Sequence, residues 1–496
     1  MRRFVITLIV LLSVVVGFSF VTYASGILRI TGYANLNTFD PQKRKTGEES
    51  VNNFMLYNGL TVMGQDLILR PCLAERWESS DDLKTWTFYI RKGVKFHHGR
   101  ELDAEDVAAT VNRILDKTVG STVRANFLIV EKIEVVDKYT IRFKLSKPYA
   151  EFAELFTDGT ALIVPRDRID KLATEPIGTG PFKLKSFIPG DRVELVKNPD
   201  YFEKGVPILD GVTMYIIPES STQITALETG NIDLVWLLPS EAIDRLKGKP
   251  NIVVDEVQTS SWDSIVMHNE KPPFNNLKVR QAIHLAIDKH EVVKTVLFGH
   301  GTPTHTPISP IHPYFNKNIS FKTDLAKAKQ LLAEAGYPNG FETELYVPGA
   351  RVERVRLGVV TRELLKPLGI KVELQRVSWD KFVSDIEGKV PLLITGFYTR
   401  PTIDASLYPW YHSTGSWNLW HCNSPKTDKL LDMARQTKSS EERKKIYMDF
   451  QKLMVEEPVS VVPYVVNHTN AFRKEVKGFH SHPMMWLDLR RVTIAK

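Results

Sequence analysis

Capped helices and short β runs follow one another along this chain without an internal repeat, and that alternation confines it to a mixed α/β fold of several units. Residues 85–90 (TWTFYI) read as a strand that ends in the turn Arg91-Lys92-Gly93. Asp103 is a good N-cap for a helix over 104–115, because its carboxylate can accept from the free amides of the first turn. Residues 132–145 hold two alternating runs split by Asp137-Lys138, the pattern of a hairpin, and Val193-Glu194-Leu195-Val196 alternates as well. Ser220 or Ser221 opens a helix that Gly230 stops after Thr229, and 232–236 reads as a strand. Val279, Ile283, Ala286 and Ile287 share one helical face. Asp324 caps a helix that turns Leu325, Ala328, Leu331, Leu332 and Ala335 inward and ends at Gly336. Residues 357–365 are helical, 370–374 form a strand, and Ser440 caps a last helix carrying Ile446, Phe450 and Leu453.

At 496 residues the chain has room for about three domains and needs no metal or disulfide staple. Its two cysteines, Cys72 and Cys422, are expected to be buried thiols. Met1-Arg2-Arg3, an apolar run over 4–20 and Thr22-Tyr23-Ala24 form the layout of a secretory signal peptide, 1–24, cut before Ser25. No lipid-anchor cysteine follows, so the mature chain is expected to be soluble and periplasmic. The net charge of +7 does not read as a nucleic-acid surface: basic and acidic residues are mixed, and the densest basic runs are only Lys43-Arg44-Lys45 and Arg443-Lys444-Lys445.

Templates for chemistry are missing. There is no Gly-x-Ser-x-Gly elbow, no phosphate-binding loop and no Cys-x-x-Cys. Gly178-Thr179-Gly180 runs into Pro181-Phe182, which cannot open a phosphate-binding helix in that register. His290-Glu291-Val292-Val293-Lys294 lacks the second histidine of the zinc-protease helix. His97 and His98 point to opposite faces if extended, and His480 and His482 sit in a loop. These absences remove the usual warrants for an enzyme without excluding one, and no cofactor or metal is expected.

Several segments, in order, resemble the family 5 extracellular solute-binding proteins, the periplasmic dipeptide, oligopeptide and nickel receptors of ABC importers. They begin with Leu36-Asn37-Thr38-Phe39-Asp40-Pro41, Leu56-Tyr57-Asn58-Gly59-Leu60 and Leu73-Ala74-Glu75-Arg76-Trp77. The run from Thr85 to His97, then Asp103-Ala104-Glu105-Asp106-Val107, Gly178-Thr179-Gly180-Pro181-Phe182 and Asn198-Pro199-Asp200-Tyr201 continue the series. Ala226 to Asp233, Val279-Arg280-Gln281-Ala282-Ile283, Ala286-Ile287-Asp288-Lys289, Ala333-Glu334-Ala335-Gly336-Tyr337 and Asn423-Ser424-Pro425 complete it. The resemblance implies a two-lobed periplasmic binding protein of the class II-like, cluster C type with an extra inserted domain. Lobe I would take 25–60, 177–262 and 468–496, the inserted domain 61–176, and lobe II 263–467. The crossovers near Trp262-Asp263 and Val466-Asn467 would form the hinge. It also implies a monomeric receptor that captures a di- or oligopeptide and hands it to membrane permease subunits driven by separate ATPase subunits. A nickel chelate, an opine or an oligosaccharide is the alternative ligand, with His412 or His421 as the nearby histidines for nickel; an exported hydrolase on the same scaffold is a third reading.

The stretch 395–423 concentrates the candidate contacts: Tyr398, Tyr408, Trp410, Tyr411, Trp417 and Trp420 are interleaved with Gly and Pro and read as neither helix nor regular strand. Rings with one polar tip suit a closing cleft, and about half are expected to face it. Asp404 lies where peptide-binding members of the family carry an aspartate for the ligand's α-ammonium group, although the Asp-Pro-Asp type pattern is replaced by Arg400-Pro401-Thr402-Ile403-Asp404. Arg400 could grip a ligand carboxylate with its fork or pair with Asp404. The expected contacts are Tyr398, Arg400, Asp404, Trp410, Trp417 and Asn418 from lobe II and Asn37 and Tyr57 from lobe I.

Overall fold

The computed structural model describes residues 26–349, 351–400 and 402–495. The expected signal peptide, 1–24, lies outside the described residues, as does Pro401. One 11-stranded sheet organises the molecule. On one side it runs Lys371–Val377, Glu342–Pro348, Leu392–Phe397; on the other Leu234–Val235, Ile27–Gly32, Gly211–Ile216, Arg192–Lys197, Phe182–Ile188. Two long antiparallel strands, Ile252–Met267 and Ser460–Arg473, belong to both halves and carry the chain between them. The result is two lobes joined through a shared pair of strands.

The ladder between those strands slips where the lobes meet. Gln258 faces Asn467, but Trp262 faces Val465, so residues 259–261 bulge out of register. The bulge is held by its own side chains: Thr259 Oγ1 donates to the Val466 carbonyl at 2.6 Å, and the Ser260 amide donates to Thr399 Oγ1 at 3.0 Å. Just inside lobe II, Asp263 accepts from Arg354 at 2.8 Å and from the Tyr464 hydroxyl at 2.9 Å. Gly396 lies against this pair; a Cβ there would stand 1.9 Å from Asp263 Oδ1, so no larger residue fits beside it.

A separate four-stranded antiparallel sheet, in the order Ala74–Ser79, Thr85–Ile90, Thr140–Leu145, Val130–Asp137, stands on one lobe. It buries Phe88, Phe127, Phe143, Phe152 and Phe156 as one edge-to-face cluster, with Phe152 and Phe156 at 90° and 5.6 Å. The helix Ala104–Leu115 covers it, capped by Asp103, which accepts from the Glu105 amide at 3.1 Å. Leu162, Val164 and Leu172 leave this unit and pack into the core around Ile27–Gly32.

The strand 85–90, the hairpin and the helices begun by Asp103 and Asp324 form where the sequence pattern puts them. Four local expectations need correction. The helix Ser220–Thr229 starts from Glu219 without a side-chain cap, and only Leu234–Val235 of the expected strand is paired. The last helix, Ser440–Glu456, is capped by Ser439, not Ser440, because Ser439 accepts from the Glu442 amide. The stretch 395–423 is not irregular throughout. It holds the end of the strand Leu392–Phe397 and the helix Ile403–Tyr411, capped by Thr402, with Pro409 in its last turn.

Candidate functional site

Strand direction brings two chain segments to the crossing point. Ile27–Gly32 runs parallel to Leu234–Val235, which in turn is antiparallel to Ser460–Arg473, so residues 33–38 leave the sheet beside the bulge. Leu392–Phe397 pairs antiparallel with Ile252–Met267 and releases Tyr398, Thr399 and Arg400 at the same place. Thr399 is locked there: its amide donates to Ser261 Oγ at 2.9 Å, and its hydroxyl meets Ser261 Oγ at 3.0 Å. Arg400 is thus aimed from a pinned backbone.

Arg400 keeps contact with water although protein crowds around it. Loss of solvation lowers its pKa; the charge of Asp158 opposes that shift, and Arg44 adds to it. Arg44 lies on the segment after the strand Ile27–Gly32, Asp158 follows the turn Phe152–Thr157 that packs on the four-stranded sheet, and the two form their own pair at 2.8 Å. Burial works to raise the Asp158 carboxyl, but Arg44 and then Arg400 outweigh it, and its pKa falls below the usual carboxylate value. Among the described residues Arg400 has no carboxylate within ion-pair distance; its guanidinium lies only over the Phe397 ring, 5.6 Å from the centroid. Asp158 thus pairs with Arg44 alone, and its charge reaches Arg400 only from a distance.

A second meeting of the lobes is of opposite character. Arg435 grips both oxygens of Asp404, at 2.7 and 2.8 Å. The Asp404 amide donates to Glu151 Oε2 of the inserted unit at 3.0 Å, and the Ala150 amide donates to the Arg435 carbonyl at 2.9 Å. Arg443 stands 3.9 Å from Glu151, and the Arg435 fork stacks 3.1 Å over the Tyr408 ring. Burial, then the charge of Asp404, pushes the Glu151 carboxyl up to about 7; burial and Glu151 hold Glu154 well above the usual range.

The expected contacts divide accordingly. Tyr398 and Trp417 are exposed, at 52% and 50%, and Asn37 is open to solvent, its amide tied to Glu49 at 3.1 Å. Arg400 is exposed where the lobes cross, and it does not pair with Asp404, as one expectation had it. Asp404 is buried, and both its oxygens are committed to Arg435, so it is not open to a ligand ammonium group in this form. Trp410 is a core residue, packed on Trp262, Phe397 and Trp420. Trp420 and Tyr411 are buried with it and Tyr408 is half-buried, so Tyr398 and Trp417 are the exposed rings of the six. Tyr57 is wholly buried in the lobe I core. Asn418 closes its own loop, donating to the Cys422 carbonyl and accepting from the Cys422 amide, each at 2.8 Å. Of the histidines considered for nickel, His412 is buried against Tyr408, and His421 lies away from the cleft, bonded to the Gly388 carbonyl. Arg44, Asp158, Glu151, Arg435 and Arg443 escaped sequence reasoning, though Arg44 and Arg443 belong to the two basic runs judged too short for a nucleic-acid surface.

The family model for bacterial extracellular solute-binding proteins, family 5 (middle), matches residues 69–418. The glutathione-binding protein GsiB of Escherichia coli (strain K12) is 26% identical over 466 residues, 91% of each chain. Among solved structures, DppA of Helicobacter pylori in complex with the peptide STSA superposes with a TM-score of 0.80 at 27% identity, covering 96% of this chain and 99% of that one. The binding protein AgaA of A. tumefaciens R10 with agropinic acid gives 0.79 at 27% identity, covering 95% and 99%.

Proposed function

Because the chain belongs to the bacterial extracellular solute-binding proteins of family 5, we propose that it captures a peptide or peptide-like acid between its lobes and delivers it to the permease of an ABC importer, with separate ATPase subunits supplying the energy. The relatives named for glutathione and crystallised with STSA and agropinic acid support a small, polar, peptide-like ligand. In this reading the protein is a monomeric receptor without a catalytic step, and ligand binding shifts an open–closed equilibrium. Residues 1–24 direct export to the periplasm; no helix among the described residues is long and apolar enough to cross a membrane. Lobe I comprises 25–60, 177–262 and 468–496, the inserted domain 61–176, with its last residues returning to the lobe I core, and lobe II 263–467. The bulge at 259–261 is the hinge, where slipped register lets the strands twist without breaking the rest of the ladder.

The single observation that carries the ligand class is Arg400, a guanidinium inside the cleft without a carboxylate partner and beside a second arginine. A planar fork recognises a carboxylate through two parallel hydrogen bonds. The ligand accordingly places a carboxylate at Arg400, with Tyr398, Trp417 and Asn37 as further contacts. The ammonium end does not use Asp404 while Arg435 holds it.

Calorimetric titration of refolded, ligand-free protein with glutathione, short peptides and their C-terminal amides tests this. Free acids bind, amidation weakens binding at least tenfold, and the protein melts higher with saturating acid, by about 2.7 kcal/mol at a hundred times Kd. Equal binding of acids and amides would overturn the carboxylate reading; binding only of a sugar would overturn the peptide class.

A further inference from the structure

The strand Ile252–Met267 ends at the pole of lobe II remote from the cleft, where Met267 faces Leu392. The strand Leu392–Phe397 lies between this pole and Arg400, a separation of about 20 Å at the usual rise per residue. Just past the strand end, His268 and Glu270 meet His421, which comes from a loop 151 residues further along the chain. The imidazoles of His268 and His421 stack with centroids 3.9 Å apart and planes 13° from parallel. One ligating atom of each of the three residues lies within 4.8 Å of the others.

The hydrogen bonds around His421 fix its protons. Nε2 bonds the Gly388 carbonyl at 2.8 Å, so this nitrogen is the donor. Nδ1 then faces Glu270 Oε2 at 3.5 Å. A cation between this nitrogen and the carboxylate would bridge the two. His268 brings a second imidazole to the same point, its Nδ1 accepting from the Glu270 amide at 3.3 Å. The closest ammonium group, on Lys271, is drawn off to the Lys389 carbonyl. His421 sits in the left-handed backbone region, φ +52°, which ordinary residues avoid, and this conformation lays its ring over His268. Glu270 is largely exposed, so an ion can enter from solvent.

We propose that His268, Glu270 and His421 form a binding site for a divalent transition-metal ion at the outer pole of lobe II, separate from the ligand cleft. Two imidazoles and one carboxylate suit zinc, nickel or copper, with water completing the coordination. The carbonyl of Gly388 supplies the outer hydrogen bond that commonly orients a metal-bound histidine. To coordinate one ion the two rings must splay out of their stack, so occupancy joins the strand end to the 421 loop and braces this end of the lobe.

The test is calorimetric titration of tag-free, chelator-stripped protein with Zn²⁺, and Cu²⁺ paramagnetic resonance on the same material. One ion binds per chain, the copper spectrum shows two nitrogen ligands, and Glu270→Gln, a change at an exposed side chain that leaves the fold intact, weakens binding at least fivefold. His421→Ala weakens it at least tenfold and removes one nitrogen. Arg400→Ala leaves the metal titration unchanged, which separates this site from the cleft. No stoichiometric binding, or binding unaltered in the His268→Ala/His421→Ala double variant, would overturn the proposal.

Discussion

Two places where lobe II meets the other half of the molecule use the same residue types to opposite effect. Around Asp404, charges are matched and buried: Arg435 forks onto Asp404, and Glu151 accepts from the Asp404 amide. Around Arg400, the charges do not match: Asp158 pairs with Arg44, and Arg400 stays open to water without an ion-pair partner among the described residues. A closed set of partners holds two surfaces together but leaves nothing for a ligand. An open set costs stability in the empty protein and recovers it when an anion arrives. The first place therefore governs contact between lobes, and the second governs what is bound between them.

The sharpest way to break this comparison is to unpair the matched site. Asp404→Ala leaves Arg435 facing Glu151 from a distance with its fork empty, and removing one partner of a buried pair is expected to destabilise the protein by about 3 kcal/mol. Denaturant unfolding reads this directly; a loss below about 1 kcal/mol would mean the fork is not a structural contact. Next in size is Arg400→Ala. It is expected to weaken binding of an acidic ligand by about 2 kcal/mol, the worth of a charge-assisted contact, while the empty protein unfolds at unchanged or slightly higher denaturant, since a like charge beside Arg44 is gone. A variant that binds normally but unfolds early would reverse the roles assigned to the two places.

How far the sequence reveals these roles depends on sequence distance. The helix Ala104–Leu115 is legible because its cap and its apolar face are local. The hairpin of Val130–Asp137 and Thr140–Leu145 is legible because its turn residues lie between two alternating runs. The helix Ile403–Tyr411 is hidden, since large rings occupy both its buried and half-buried faces and Pro409 argues against it. The aromatic richness of 395–423 marks the region correctly, but amphipathic rings fill a core as readily as a cleft, as Trp410 and Trp420 do. Partners are harder still: Glu151 and Asp404 lie 253 positions apart, and no spacing rule joins them. The same holds for His268, Glu270 and His421, which no metal template spans.

Acid sharpens the comparison by a smaller effect. Glu151 faces Glu154, Asp404, the Thr402 hydroxyl and the cation Arg443, with Tyr149, Tyr314 and Tyr447 around them. Its carboxyl rises from an ordinary value of 4.5 to about 7 when the surfaces are joined, because burial and then Asp404 disfavour its charge. A raised pKa means that the joined form binds a proton the exposed form releases. Its contribution is complete below pH 4.5 and is lost as pH rises through 7, with a slope of at most about 1.4 kcal/mol per unit. Small-angle scattering of the ligand-free protein should therefore show the compact form gaining between pH 7.5 and pH 5, and Glu151→Gln should flatten that change. A compact fraction that falls on acidification would place another group in control.

The smallest expected effect belongs to a pair that crosses the same interface in the open. Lys438 reaches Asp81 of the inserted unit at 2.9 Å, but Asp81 is fully exposed. Solvent and salt screen such a pair, and ordering two long side chains offsets what attraction is left. Lys438→Ala should leave both the unfolding midpoint and the pH profile of compaction unaltered at physiological salt. If it shifted either as Asp404→Ala does, proximity across the interface would matter more than burial, and the distinction between matched buried charge and open charge would fail at its simplest point.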